Sequence, residues 1–109
     1  MNEFFRGFIK IHILHHAEKG PVFGLEMARE LQRHGYEQVS PGTLYPALHA
    51  LEEAGLLESR RQLDQGRWRR HYTITRKGRA TLGAVRRQLV ELVREVVAEA
   101  VAGPGSTDS

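Results

Sequence analysis

Apolar residues recur at helical spacing through the first half of the chain, alternate with polar ones over a short later stretch, and return to helical spacing as far as residue 102. Over residues 3–18, Phe5, Ile9 and Ile13 form one row and Phe4, Phe8 and Ile11 a neighbouring one. This predicts a helix with a broad apolar face, ended by Gly20 and Pro21. The following run, FGLEMARELQRHG, sets Leu25, Ala28, Leu31 and Gln32 at helical spacing and closes at Gly35. A link through Tyr36 to Val39 leads into SPGTLYPALHALEEAGLL, residues 40–57. There Leu44, Leu48 and Leu51 make a core-facing stripe, Ser40 is placed to cap through its hydroxyl, Pro41 suits the first helical position, and Gly55 supplies the stop.

The alternating stretch comes next. Leu56 to Leu63 and Trp68 to Thr75 flank Asp64, Gln65 and Gly66, and Trp68, Arg70, Tyr72 and Ile74 alternate with Arg69, His71 and Thr73, which predicts a β-hairpin. Thr75 is placed to cap a last helix. On it Leu82, Val85, Leu89, Leu92 and Val96 step by three and four, while Val90, Val93, Val97 and Ala100 form a second row. The tail GPGSTDS has no apolar content and is expected to be disordered.

This order of elements gives a mainly α fold with a small β-hairpin: a winged helix-turn-helix over residues 1–75, a C-terminal dimerisation helix over 76–102, and a tail over 103–109. Ser40, Gly42, Thr43, Tyr45 and His49 lie at or off the edge of the leucine stripe near the helix start. Free backbone N–H groups and the helix dipole there suit a phosphate or a base edge of double-stranded DNA. Arg67, Arg69 and Arg70 sit at the hairpin tip with Arg60 and Arg61 on the opposing strand, and Lys77 opens the last helix. Two apolar rows on a terminal helix suggest a second chain. A homodimer is expected through Phe5, Phe8, Ile9, Leu82, Val85, Leu89, Leu92, Val93 and Val96.

Charge supports the nucleic-acid reading. From Ser59 to Arg87 there are ten Arg or Lys residues against Asp64 alone, a local +9, so the rest of the chain carries −6 within the total of +3. A basic block directly after a candidate recognition helix is the footprint of a nucleic-acid binder. A structured RNA or a protein partner would also suit such a module. The 109 residues allow one small core, and the absence of cysteine excludes disulfides and thiolate metal sites. No apolar run approaches the roughly 20 residues needed to span a bilayer, so no membrane association and a cytoplasmic location are expected. A glycine-rich phosphate loop, an HExxH pattern and a cysteine nucleophile are all lacking, and an enzyme is not expected.

Six histidines are many for this length, and HILHH places three on the first helix. His12 and His16, four apart, share a face on which zinc or cadmium would find two imidazole ligands, with His15 nearby and further ligands drawn from a partner chain. Interfacial hydrogen bonds are the other reading of the same histidines. No cofactor is required for a DNA-binding role; a metal or a small molecule would enter as an effector, or the chain would itself be a metal-binding protein.

The runs FGLEMARELQRHG, SPGTLYPALHALEEAGLLES and RRHYTITRKGRATL together resemble the PadR family of bacterial transcriptional regulators, from about residue 4 to residue 97. The most specific part is GTLYPALHALEEAGLL, because Pro46 inside a helix removes an N–H donor, and Gly42 four residues earlier lessens the ring clash. The resemblance implies a winged-helix domain, a homodimer built from the N- and C-terminal helices, and repression of nearby promoters relieved by a small molecule. It places Ser40, Gly42, Thr43, Tyr45 and His49 on the DNA-facing side, Arg67, Arg69 and Arg70 on the wing, and Leu82, Leu89 and Val96 on the dimerisation helix. The chain looks like the short branch of that family, with a single C-terminal helix. A drug-binding branch carries an aromatic residue on that helix, and here the only tryptophan, Trp68, lies in the hairpin.

Overall fold

The computed structural model describes residues 3–36 and 39–102. Its elements are α1 (Glu3–Lys19), β1 (Val22–Phe23), α2 (Gly24–Arg33), α3 (Pro41–Glu53), β2 (Leu57–Asp64), β3 (Arg67–Ile74) and α4 (Arg76–Leu92). The chain runs on from α4 through a wider π-helical stretch, Val93–Ala98, into a last α-helical turn, α5 (Glu99–Ala102). Backbone angles at the joins stay helical, with φ −62° and ψ −43° at Val93 and φ −66° and ψ −40° at Glu99, so the rod is not broken there. The expected tail lies outside the described residues, as do Glu37 and Gln38 of the expected link.

The apolar rows of the first three helices meet in one core. Ile9, Ile13 and Leu14 of α1, Met27 and Leu31 of α2, and Leu44, Leu48 and Leu51 of α3 are all buried, joined by Val39, Leu57, Tyr72 and Leu82. Within α2 the buried face is Gly24, Met27, Ala28 and Leu31, whereas Leu25 is exposed and Gln32 donates a side-chain hydrogen bond to the Val39 carbonyl at 2.9 Å. Ile9 and Leu82 are each 1% exposed and fill the chain's own core, which corrects their expected place on a dimer face.

The expected hairpin forms, paired from Leu57 opposite Ile74 to Asp64 opposite Arg67, so Asp64, expected in the turn, belongs to the strand. Gln65 and Gly66 form its two-residue loop with φ of 52° and 79°, the pair of positive angles that a tight hairpin turn matched to strand twist requires. A third strand was not expected: Val22 and Phe23 pair with Tyr72 and His71, giving an antiparallel sheet in the order β1-β3-β2. Two residues are too few to show alternation. Here a side chain shows the pleat directly, since Val22 joins the core and Phe23 packs beside His71 on the opposite face.

The capping residues divide. Ser40 starts α3 through its carbonyl, which accepts from Thr43 and Leu44 at 3.0 and 2.9 Å, and its hydroxyl makes no cap, contrary to expectation. Thr75 does cap α4: its Oγ1 accepts from the Gly78 N–H at 2.9 Å and donates to the Gly55 carbonyl at 2.6 Å. Gly78 lies so close to β2 that an added Cβ would stand 2.2 Å from the Leu56 carbonyl oxygen. The first turn of α4 is thereby seated on the α3–β2 junction, which fixes the last helix relative to the hairpin.

Candidate nucleic-acid interface

Burial of Leu44, Leu48 and Leu51 turns the opposite side of α3 outward, and Gly42, Tyr45 and His49 are exposed there while Thr43 is half-buried. Tyr45 lies against the first turn of α2. A Cβ on Gly24 would come within 2.9 Å of its hydroxyl oxygen and two ring carbons, so glycine at that position leaves room for the phenol. His49 points to solvent and pairs with Glu53 one turn on, at 3.2 Å.

Cations flank the start of α3 on both sides. Arg67, Arg69 and Arg70 join Trp68, Tyr45 and Leu25 around a cleft between the hairpin and the helices. Across α3 a second groove is lined by Gly42, Thr43 and Pro46 together with Arg6 and Lys10 of α1. These two cations were missed from sequence because they precede the basic block by some fifty residues. Their four-residue spacing on the polar side of an amphipathic helix was the available signal. A helix start between two positive walls fits a major groove about 12 Å wide with a phosphate strand on either side.

The hairpin cations have different environments. Arg60 and Arg67 are exposed and have no ion-pair partner among the described residues. Arg61 and Arg70 are directly opposed across the hairpin, an arrangement that disfavours the ladder in isolation and that a phosphate would relieve. Arg61 lies over the Trp68 ring at 5.2 Å, and Arg70 donates to the Ser59 hydroxyl at 2.9 Å. Ser59 is itself held by Glu52 of α3, through both its N–H and its hydroxyl.

Arg69 and Lys77 depart from expectation. Arg69 donates to Asp64 at 2.8 Å and to Glu26 of α2 at 3.0 Å, and its guanidinium lies 4.2 Å from the Phe23 ring centre. Hydrogen bonds to Asp64 and then Glu26 push its pKa up, so it is a fixed cation that holds the hairpin against α2. Lys77 donates to the Ala54 carbonyl at 2.9 Å, satisfying the C-terminal end of α3. Both side chains serve the frame of the interface first.

On the other side of the molecule Phe4, Phe5 and Phe8 of α1 and Leu92, Val93 and Val96 near the chain end are exposed, while Val85 and Leu89 are half-buried. A shallow apolar groove between α1 and α4 includes Phe8, Ile11, Val85, Leu89 and Leu92. Arg86 ties the two helices together, donating to Glu18 and to His15 Nδ1, each at 3.0 Å. His15 therefore faces Arg86. The ring centres of His12 and His16 are 6.3 Å apart, and His34 lies 5.6 Å from the first and 6.1 Å from the second. Burial is the leading cause that pulls His12, His15 and His16 below the ordinary histidine pKa. Repulsion from His34 adds to it at His12, and from Lys19 and Arg86 at His15, while Glu30 opposes it at His16. Among the described residues no helix is long and apolar enough to cross a membrane.

Comparison with known proteins gives this arrangement its context. Transcriptional regulator Rv3488 of Mycobacterium tuberculosis (strain ATCC 25618 / H37Rv) is 54% identical over 97 residues, which span 89% of this chain and 90% of the relative. A PadR-like transcriptional regulator from Bacillus cereus has a crystal structure that matches at a TM-score of 0.80 and 28% identity, covering 94% of this chain and 100% of its own. A Streptococcus transcriptional regulator shares the fold at a TM-score of 0.82 and 19% identity, over 94% of this chain and 100% of its own. The sequence model of the transcriptional regulator PadR-like family matches residues 13–84, from the middle of α1 through α3 and the hairpin into α4. That stretch contains most of the core and the candidate interface, and the relatives are regulators and not enzymes: this chain belongs to the PadR-like family of transcriptional regulators.

Proposed function

We propose that the chain is a cytoplasmic, effector-responsive repressor that binds a palindromic operator as a homodimer. The observation that carries this reading is the exposed start of α3, with Gly42, Thr43 and Tyr45 between Arg6 and Lys10 on one side and the hairpin arginines on the other. Side chains of the first turns of α3 read base edges, and the flanking cations set position and affinity through phosphates. Two copies joined through the apolar surfaces of α1 and of the last helix address half-sites about 34 to 36 Å apart. The groove between α1 and α4, lined by Phe8, Ile11, Val85, Leu89 and Leu92, is where a small apolar effector would alter the angle between the two reading heads. Repression follows from occupancy of the promoter.

Selection of bound duplexes from a randomised double-stranded DNA pool tests the proposal. The expected product is a two-fold symmetric motif with half-sites spaced by about 10 base pairs. Enrichment of no motif, or displacement of the selected duplex by structured RNA at equal concentration, overturns it. Within the selected motif Thr43→Ala and Tyr45→Ala are expected to weaken specific binding more than binding to random DNA.

A further inference from the structure

The geometry points to a divalent transition-metal site formed by His16 of α1 with Glu30 and His34 at the end of α2. One ligand atom from each of these residues lies within 4.8 Å of the other two. Glu30 and His34 are four apart, so the helix turns both toward the same side, and α1 crosses there to bring in His16. A tetrahedral zinc ion with ligand bonds near 2.0 to 2.1 Å holds its ligand atoms about 3.4 Å apart. Rotation of side chains closes the difference, since the side chains of Glu30 and His34 reach solvent, at 32% and 51% exposure.

The donor types select the ion. Two imidazoles and one carboxylate suit zinc, cobalt or nickel, whereas calcium and magnesium favour an all-oxygen set. His12 adds an independent observation. Its ring stands 5.6 Å from that of His34, and its Nδ1 is a buried nitrogen with no hydrogen-bond partner among the described residues. It stands beside the three-residue set and would supply the fourth ligand once the side chains close on an ion. His15, by contrast, is held by Arg86 on the α4 side and stands outside the set. The present partners of Glu30 are His34 at 3.3 Å and the exposed Arg33 at 3.0 Å, both contacts that a bound cation replaces. Such an ion would clamp α1 to α2 immediately before the link into α3, and so bears on the helix that carries Thr43 and Tyr45.

Titration of the full chain with zinc, and with cobalt as a visible-absorbing probe, tests the site without DNA, so its outcome is separate from that of the operator reading. The wild-type chain is expected to bind one equivalent and to give the intense absorption of tetrahedral cobalt. His34→Ala and Glu30→Gln alter side chains that are not in the core, and each is expected to weaken binding by roughly tenfold or more. Thermal melts in chelator verify that both variants fold, and zinc is expected to raise the melting temperature of the wild type but not of His34→Ala. His15→Ala is expected to bind as the wild type does. Absence of stoichiometric binding, or equal affinity in wild type and His34→Ala, overturns the assignment.

Discussion

At the scale of single residues, side chains of one charge serve different ends according to what the fold places beside them. Arg67 is exposed at the hairpin tip, whereas Arg69 is held by Asp64 and Glu26 and lies on Phe23. Replacing Arg67 by Ala is expected to leave the melting temperature unchanged and to reduce the slope of log affinity against log salt by about one, the value for one phosphate contact. Replacing Arg69 by Ala is expected to lower the melting temperature, because the hairpin loses its attachment to α2. Salt-dependent DNA titrations with parallel melts separate the two, and identical behaviour would contradict the distinction. The double replacement of Arg6 and Lys10 by Ala is expected to cut the salt slope by about two through the same release of counterions. Gly78 is a steric counterpart to these charges. A Cβ 2.2 Å from the Leu56 oxygen forces α4 off the junction, at about 1–3 kcal/mol for overpacking, against up to about 1 kcal/mol gained from alanine's helix propensity. Urea denaturation of Gly78→Ala is therefore expected to show a lower midpoint, and an unchanged one would mean that the helix shifts freely.

At the scale of elements, α3 carries a cost that its own stability does not explain. Pro46 is exposed in the middle of the helix and offers no N–H to the carbonyl of Gly42. An interior proline disfavours a helix by about 3 kcal/mol relative to alanine, less where glycine stands four residues before. Pro46→Ala is expected to raise stability by on the order of 1–2 kcal/mol in urea denaturation and to leave operator affinity unimproved. The helices and the hairpin could be read from sequence because each has a periodic apolar row or a turn residue with a physical role. The two-residue β1 could not, since two residues carry no period. Ile9 and Leu82 were assigned to a second chain because an apolar row looks the same whichever surface covers it. Arg69 and Lys77 counted as free cations because their partners, Glu26 and the Ala54 carbonyl, come from other elements. His34 stood apart from His16 by 18 positions, and only the packing of α2 on α1 brings the two rings to 6.1 Å.

At the scale of the whole molecule, the chain measures 64 by 29 by 21 Å, and every residue from Val90 to Val101 is exposed. A stretch this short has little helical stability in water by itself, and its six large apolar side chains, Val90, Leu92, Val93, Val96, Val97 and Val101, gain nothing from the chain's own core. Their repeat, together with exposed Phe4 and Phe8, fits a seam with a second copy that buries them. Val93→Glu combined with Val96→Glu places two carboxylates in that seam while leaving the core residues untouched. Sedimentation is expected to find the wild type dimeric and the variant monomeric at the same concentration, with the hairpin and α3 still folded by circular dichroism. Operator affinity then falls by about 10²- to 10⁴-fold, because the second half-site no longer benefits from the first. Affinity for a single half-site changes little, which distinguishes lost dimerisation from damage to the reading head. A variant that stays dimeric would move the seam elsewhere, and the exposed rows of the last helix would then need a different partner.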